Sequence, residues 1–168
     1  MSLDAKVLTV SDSVSLGTRE DRSGGELANA LTNHGFRVVE RRVVPDGVAP
    51  VAASLLKLSR VFAGLVVTTG GTGFSPTDVT PEATHSVIER EAPGLAEAMR
   101  AASPLGRLSR GVAGTIGQCL VLNVPGSPKA QWSHSKRWSM SSDMPLNYSP
   151  DGSHIDPPRR TNPTGGRW

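Results

Sequence analysis

Gly64-Leu65-Val66-Val67-Thr68-Thr69-Gly70-Gly71-Thr72-Gly73 is the stretch whose reading decides the fold: six strand-forming residues run straight into a glycine turn. A continuous apolar run bounded by glycines suits a strand buried on both faces, the environment of a parallel sheet. Seven residues on, Thr80-Pro81-Glu82 presents a cap, a first-turn proline and a first-turn acid in order, which predicts a helix starting at Thr80. A strand, a glycine turn and a helix in that sequence make the repeating unit of an α/β layer fold.

The same unit recurs on either side. Upstream, Lys6 to Val10 reads as a buried strand ended by Ser11-Asp12-Ser13, and Ser23-Gly24-Gly25-Glu26 has the spacing of a capping box that opens a helix through Leu27, Ala30 and Leu31 and stops at Gly35. Phe36 to Val44 is rich in β-formers, Pro45-Asp46-Gly47 is a turn, and Pro50 to Arg60 predicts a helix. Downstream, Pro93-Gly94 precedes a short helix through Leu95, Ala98 and Met99. Val112 to Ile116 and Gln118 to Asn123 pair as a hairpin around Gly117. The last strand, Cys119 to Val124, runs into a further glycine turn, Pro125-Gly126-Ser127-Pro128. Strands alternating with helices imply a three-layer α/β/α sandwich around a mostly parallel sheet, within a domain spanning residues 1–130.

Residues 131–168 differ in kind. They hold all three tryptophans and the only tyrosine, yet show neither helical nor strand periodicity, where a helix covering the last strand is due. The segment reads as an anomalous, irregular tail, either a divergent extension or the product of a reading-frame change.

Composition narrows the function. A 168-residue chain can bury a core without disulfides. The single cysteine, Cys119, lies in an apolar run and suits a buried thiol in a reducing cytoplasm. No stretch approaches the ~18 apolar residues of a membrane span, and the first residues lack the apolar core of a signal peptide. The net charge of +3 comes from scattered basic residues without interleaved aromatics, a weak signal that a phosphate-bearing metabolite accounts for as well as nucleic acid does.

Ligands of open α/β sheets bind outside the carboxyl ends of the strands, where the glycine turns fall here. Gly70, Gly71, Thr72 and Gly73 can form a nest of N–H groups for a phosphate, with the Thr72 hydroxyl as a further donor, or can be an ordinary strand-to-helix turn. Asp78 is either a helix-start acid or a carboxylate beside that nest. Asp46 is either part of a Pro-Asp-Gly turn or its partner in holding Mg²⁺, which prefers carboxylate and phosphate oxygens together. Ser11 and Asp12 stand at a strand's carboxyl end within reach of a ligand or as plain caps, and Ser109-Arg110 can grip a phosphate or form a solvated turn. The four histidines have no metal-binding spacing.

Four stretches in this order, Val10-Ser11-Asp12, Val44-Pro45-Asp46, Thr68 to Gly73 continuing through Asp78 to Thr84, and Asn123 to Pro128, resemble the MogA/MoaB family of molybdenum-cofactor biosynthesis. Pro93-Gly94-Leu95 with Met99-Arg100, and Leu108-Ser109-Arg110 before Ala113-Gly114, are also similar. The resemblance covers about three quarters of the chain and stops near Ala130. It implies a homotrimer that transfers the adenylyl group of Mg-ATP to molybdopterin and releases pyrophosphate, among other enzymes of the cofactor pathway. On that resemblance Asp46 and Asp78 are the catalytic, Mg²⁺-holding pair, and Gly70 to Gly73 hold nucleotide phosphates. Ser11, Asp12, Ser109, Asn123, Pro125, Gly126 and Ser127 line the pterin-phosphate side. A binding homologue that adenylylates nothing and a trimeric scaffold are the alternatives.

Overall fold

The computed structural model describes residues 3–102 and 104–126; Ser127 and the tail 131–168 lie outside them. Strand β1 (Leu3–Val10) pairs in parallel with β2 (Phe36–Val44) and with β3 (Gly64–Thr69), and β3 pairs in parallel with β6 (Cys119–Val124). β5 (Ala113–Ile116) returns antiparallel to β6 around Gly117, the hairpin expected from the sequence, and carries the two-residue edge strand β4 (Arg90–Glu91). The sheet order is β2-β1-β3-β6-β5-β4. β3 and β6 are buried at every residue, which is why they read as unbroken apolar runs instead of alternating ones.

Helices cover both faces. On one, Leu27, Ala28 and Leu31 of α2 (Arg22–Asn33) and Ala96 of α5 (Pro93–Ala101) pack on Ala5, Val7, Leu65, Val67 and Leu122. On the other, Val51, Leu55 and Leu58 of α3 (Val48–Ser59) and Ala83 of α4 (Thr80–His85) pack on Leu8, Val10, Val66 and Val121. This is the three-layer sandwich with a mostly parallel sheet. Each fully buried leucine contributes roughly 1.5–3 kcal/mol relative to exposure, and Leu27, Leu31, Leu55 and Leu58 lock the layers together.

The chain leaves β1 through α2 to reach β2, then crosses back through α3 to β3 on β1's other side. The order therefore reverses between β1 and β3, and a crevice opens at their carboxyl ends.

Two helix caps and one helix start differ from the sequence expectation. Asp21, not Ser23, caps α2: its Oδ1 accepts from Gly24 N at 2.9 Å. Asp21 is selected because Thr9 Oγ1 and Arg41 Nη2 both donate to its Oδ2 at 3.1 Å, contacts made across the fold. Thr80 is the first residue of α4 and not its cap; its hydroxyl donates to Gly70 O at 3.0 Å, so the side chain pins the glycine turn. Helix α3 begins at Val48, two residues before Pro50.

Candidate functional site

A cleft of about 540 Å³ opens at the reversal point, lined by Val10, Ser11, Val14, Arg19, Glu20, Arg22, Ser23, Glu26, Gly70 and Gly126. Three residues singled out in the sequence, Ser11, Gly70 and Gly126, come together in its wall from the ends of β1, β3 and β6. Gly70 packs so tightly that a Cβ on it would stand 2.2 Å from Val10 O, and its φ of +104° excludes other residues as well. Ser11 ends β1 and caps the short helix α1 (Asp12–Ser15), accepting from Val14 N at 3.4 Å. Gly126 lies against Gly70, and Pro125 O accepts from Thr69 Oγ1 at 3.3 Å, so the turns after β3 and β6 are joined.

The two acids do not line this cleft but stand at the glycine turn. Asp12 N donates to Asp46 Oδ2 at 2.9 Å, and Asp46 N donates to Asp12 Oδ1 at 3.0 Å, which stitches the turn after β2 to the turn after β1. The other oxygen of Asp46, Oδ1, faces the glycine turn: an ideal Cβ on Gly71 would stand 3.6 Å from it. Asp78 closes the far end of that turn. Its Oδ2 accepts from Ser75 N at 2.8 Å and would lie 2.9 Å from a Cβ on Gly73. Asp46 thus stands beside Gly71 and Asp78 beside Gly73, each with one carboxylate oxygen not used by the backbone bond it accepts.

An all-carboxylate donor set suits a hard cation. Among the described residues no group of three or more His, Cys, Asp or Glu is arranged to enclose an ion. Two carboxylates beside a glycine turn suit instead a cation that keeps its waters and takes further oxygens from a substrate phosphate, as Mg²⁺ does.

Three candidates face inward. Thr72 is buried and its Oγ1 accepts from Ser109 Oγ at 3.3 Å, while Ser109 Oγ also accepts from Gly111 N at 3.2 Å. Asn123 is completely buried: its amide donates to Thr68 Oγ1 and Thr84 Oγ1, both at 3.0 Å, and its Oδ1 accepts from Val112 N at 3.1 Å. These side chains brace the strand ends from behind the cleft instead of lining it. Arg110 is neither a free phosphate grip nor a solvated turn, since its guanidinium donates to Gly73 O at 2.7 Å and pairs with Glu82.

Arg19, Arg22 and Glu26 line the cleft without having been singled out in the sequence. Arg19 and Arg22 lie on either side of Asp21 at the start of α2, and Glu26 reads there only as the acid of a capping box.

The chain matches the model of a family described as a probable molybdopterin binding domain over residues 6–136. It is 39% identical over 131 residues to the molybdopterin adenylyltransferase of Helicobacter pylori, covering 74% of each chain. Gephyrin of Dictyostelium discoideum is 36% identical over 138 residues, 74% of this chain; the chain spans only 19% of gephyrin's length. The crystal structure of the molybdopterin biosynthesis enzyme MoaB from Thermus thermophilus superposes with a TM-score of 0.73 at 39% identity, over 80% of this chain and 87% of that one. The chain therefore belongs to the molybdopterin-binding domain family, the family of the MogA and MoaB proteins.

Proposed function

We propose that this chain is a molybdopterin adenylyltransferase that uses Mg-ATP in the biosynthesis of the molybdenum cofactor. The observation that carries the reading is the placement of Asp46 beside Gly71 and Asp78 beside Gly73, in the glycine turn whose Gly70 lines the open cleft at the sheet's reversal point. The similarity to molybdopterin adenylyltransferases over three quarters of the chain supports it.

In the reaction, a terminal phosphate oxygen of molybdopterin attacks the α-phosphorus of ATP. A phosphorus–oxygen bond forms there, the bond from the α-phosphorus to the bridging oxygen breaks, and pyrophosphate departs with the electron pair. Such transfers need positioning and charge neutralisation more than covalent help. Asp46 and Asp78 would hold Mg²⁺, which would supply neutralisation of the phosphate charge. The Gly70–Gly73 turn lets backbone approach the nucleotide phosphates without side-chain interference. Ser11 and Gly126 shape the pterin-phosphate side of the cleft, and Arg19 and Arg22 supply positive charge at its rim. The protein works as a homotrimer in contact with other enzymes of the pathway.

The test is the fate of the label when the full chain is incubated with molybdopterin and Mg-ATP. Label in the α-phosphate is expected in the pterin product, and label in the γ-phosphate in pyrophosphate. Tight, unreactive binding of both substrates favours a binding homologue and refutes the enzymatic reading.

A further inference from the structure

The segment from Gly73 to Asp78 carries one of the two acids on an exposed loop, with Phe74 to Thr77 open to solvent. Within the loop, Asp78 N donates to Ser75 O at 2.9 Å and Asp78 Oδ2 accepts from Ser75 N. Those two bonds fold the last four residues, and Thr80 closes the loop's base, its N donating to Gly71 O and its hydroxyl to Gly70 O, both at 3.0 Å. Arg110 ties down the loop itself. Its Nε donates to Gly73 O at 2.7 Å and its Nη2 donates to Asp78 O, so one planar guanidinium bridges the first and last residues of the loop. Nη1 pairs with the Glu82 carboxylate on α4, which anchors the guanidinium to the helix after the loop. Arg110 N donates to Thr72 O at 2.9 Å, and the guanidinium carbon lies 5.8 Å from the centre of the Phe74 ring.

The arrangement asks for arginine specifically. Two carbonyls and a carboxylate are met by separate N–H groups in one rigid plane, a pattern a lysine's single ammonium cannot reproduce. Arg110 does not line the cleft, so its contribution reaches the substrate through the loop.

We propose that Arg110, anchored by Glu82, is a positioning residue that fixes the Asp78 carboxylate beside Gly73, where together with Asp46 it serves the metal-nucleotide complex. This rests on the adenylyltransferase reading, and the experiment separates the two. Parent, Arg110→Lys, Arg110→Ala and Glu82→Gln chains are compared in turnover, in Mg²⁺ dependence, and by hydrogen exchange over residues 73–80.

In Arg110→Ala we expect kcat to fall about 10²-fold and the half-activating Mg²⁺ concentration to rise about tenfold, with KM for molybdopterin little changed. Exchange over 73–80 becomes faster while the strands keep their protection. Added guanidinium ion at a non-denaturing concentration restores part of kcat; Arg110→Lys behaves like the alanine variant, and Glu82→Gln falls between. A lowered melting temperature with unaltered Mg²⁺ dependence would show a merely structural arginine and overturn the proposal. Should the parent not adenylylate molybdopterin, the functional reading fails, and exchange with Mg²⁺-dependent ATP affinity decides the loop role alone. Arg110→Ala unchanged in either overturns it.

Discussion

Asp12 and Asp46, 34 residues apart in the chain, exchange hydrogen bonds in both directions, each carboxylate accepting from the other's backbone N–H at 2.9–3.0 Å. The pairing ties two turns at adjacent strand ends, and it consumes one oxygen of Asp46 while leaving the other toward Gly71. Position and chemistry are therefore separable at Asp46. In Asp46→Asn the amide oxygen still accepts from Asp12 N, so stability should stay within about 0.5 kcal/mol of the parent. Turnover with Mg-ATP should fall about 10²-fold or more with the lost charge. Thermal melts and steady-state rates on the same preparation check both; undiminished turnover would remove Asp46 from the site.

Gly71 has φ of +63°, and a Cβ there would stand 2.3 Å from Thr80 Oγ1, the hydroxyl that pins Gly70 O. Gly71→Ala should displace the turn and lower kcat/KM about 10²-fold, with a modest loss of stability. An alanine variant of parental activity would show that the turn tolerates a side chain and does not approach the nucleotide.

Asn123 illustrates a residue that the strand-end pattern marks as a ligand contact but that sits entirely inside the protein. Asn123→Leu strands the Val112 N–H and removes the partner of two buried threonine hydroxyls, for a loss of about 3 kcal/mol or more. Chemical denaturation of the two proteins measures it, and equal midpoints would contradict the network.

The Arg110 guanidinium beside Glu82 holds that carboxyl below its ordinary value of 4.5. A depressed carboxyl stabilises the fold above its unfolded value, and that contribution disappears as pH falls below 4.5 through the folded one. The melting temperature of the parent should exceed that of Glu82→Gln at neutral pH, with the two curves converging in acid. Parallel curves throughout would mean that the pair adds nothing.

Cys119 is buried, and burial pushes its thiol above the ordinary range. It should resist alkylation in the native protein at neutral pH and react promptly in denaturant, as mass spectrometry would record. Fast native labelling would indicate that β6 opens readily.

Layer order and strand placement were legible because their signals are local. Gly64 to Thr69 and Cys119 to Val124 are apolar without interruption, and glycine turns mark their ends. What was not legible depends on partners distant in sequence. Asp21 and Ser23 are both competent caps, and the choice is made by Thr9 and Arg41; Thr80 has the features of a cap but is drawn to Gly70 O. The acids followed the same rule. Position alone left Asp46 and Asp78 open between turn and site, and only the family resemblance singled them out, whereas the inward orientation of Thr72, Ser109 and Asn123 is fixed only when α4, β5 and β6 close over them.

The central claim is that Asp46 and Asp78, standing at the glycine turn, make this cleft an adenylyl-transfer site. It is tested most directly by measuring pyrophosphate release and adenylylated molybdopterin from molybdopterin and Mg-ATP with the parent chain and Asp78→Asn. The account predicts matched formation of both products by the parent and their loss, about 10²-fold or more, in the variant. Equal turnover by the two proteins, or none by a folded parent that binds both substrates, would contradict it.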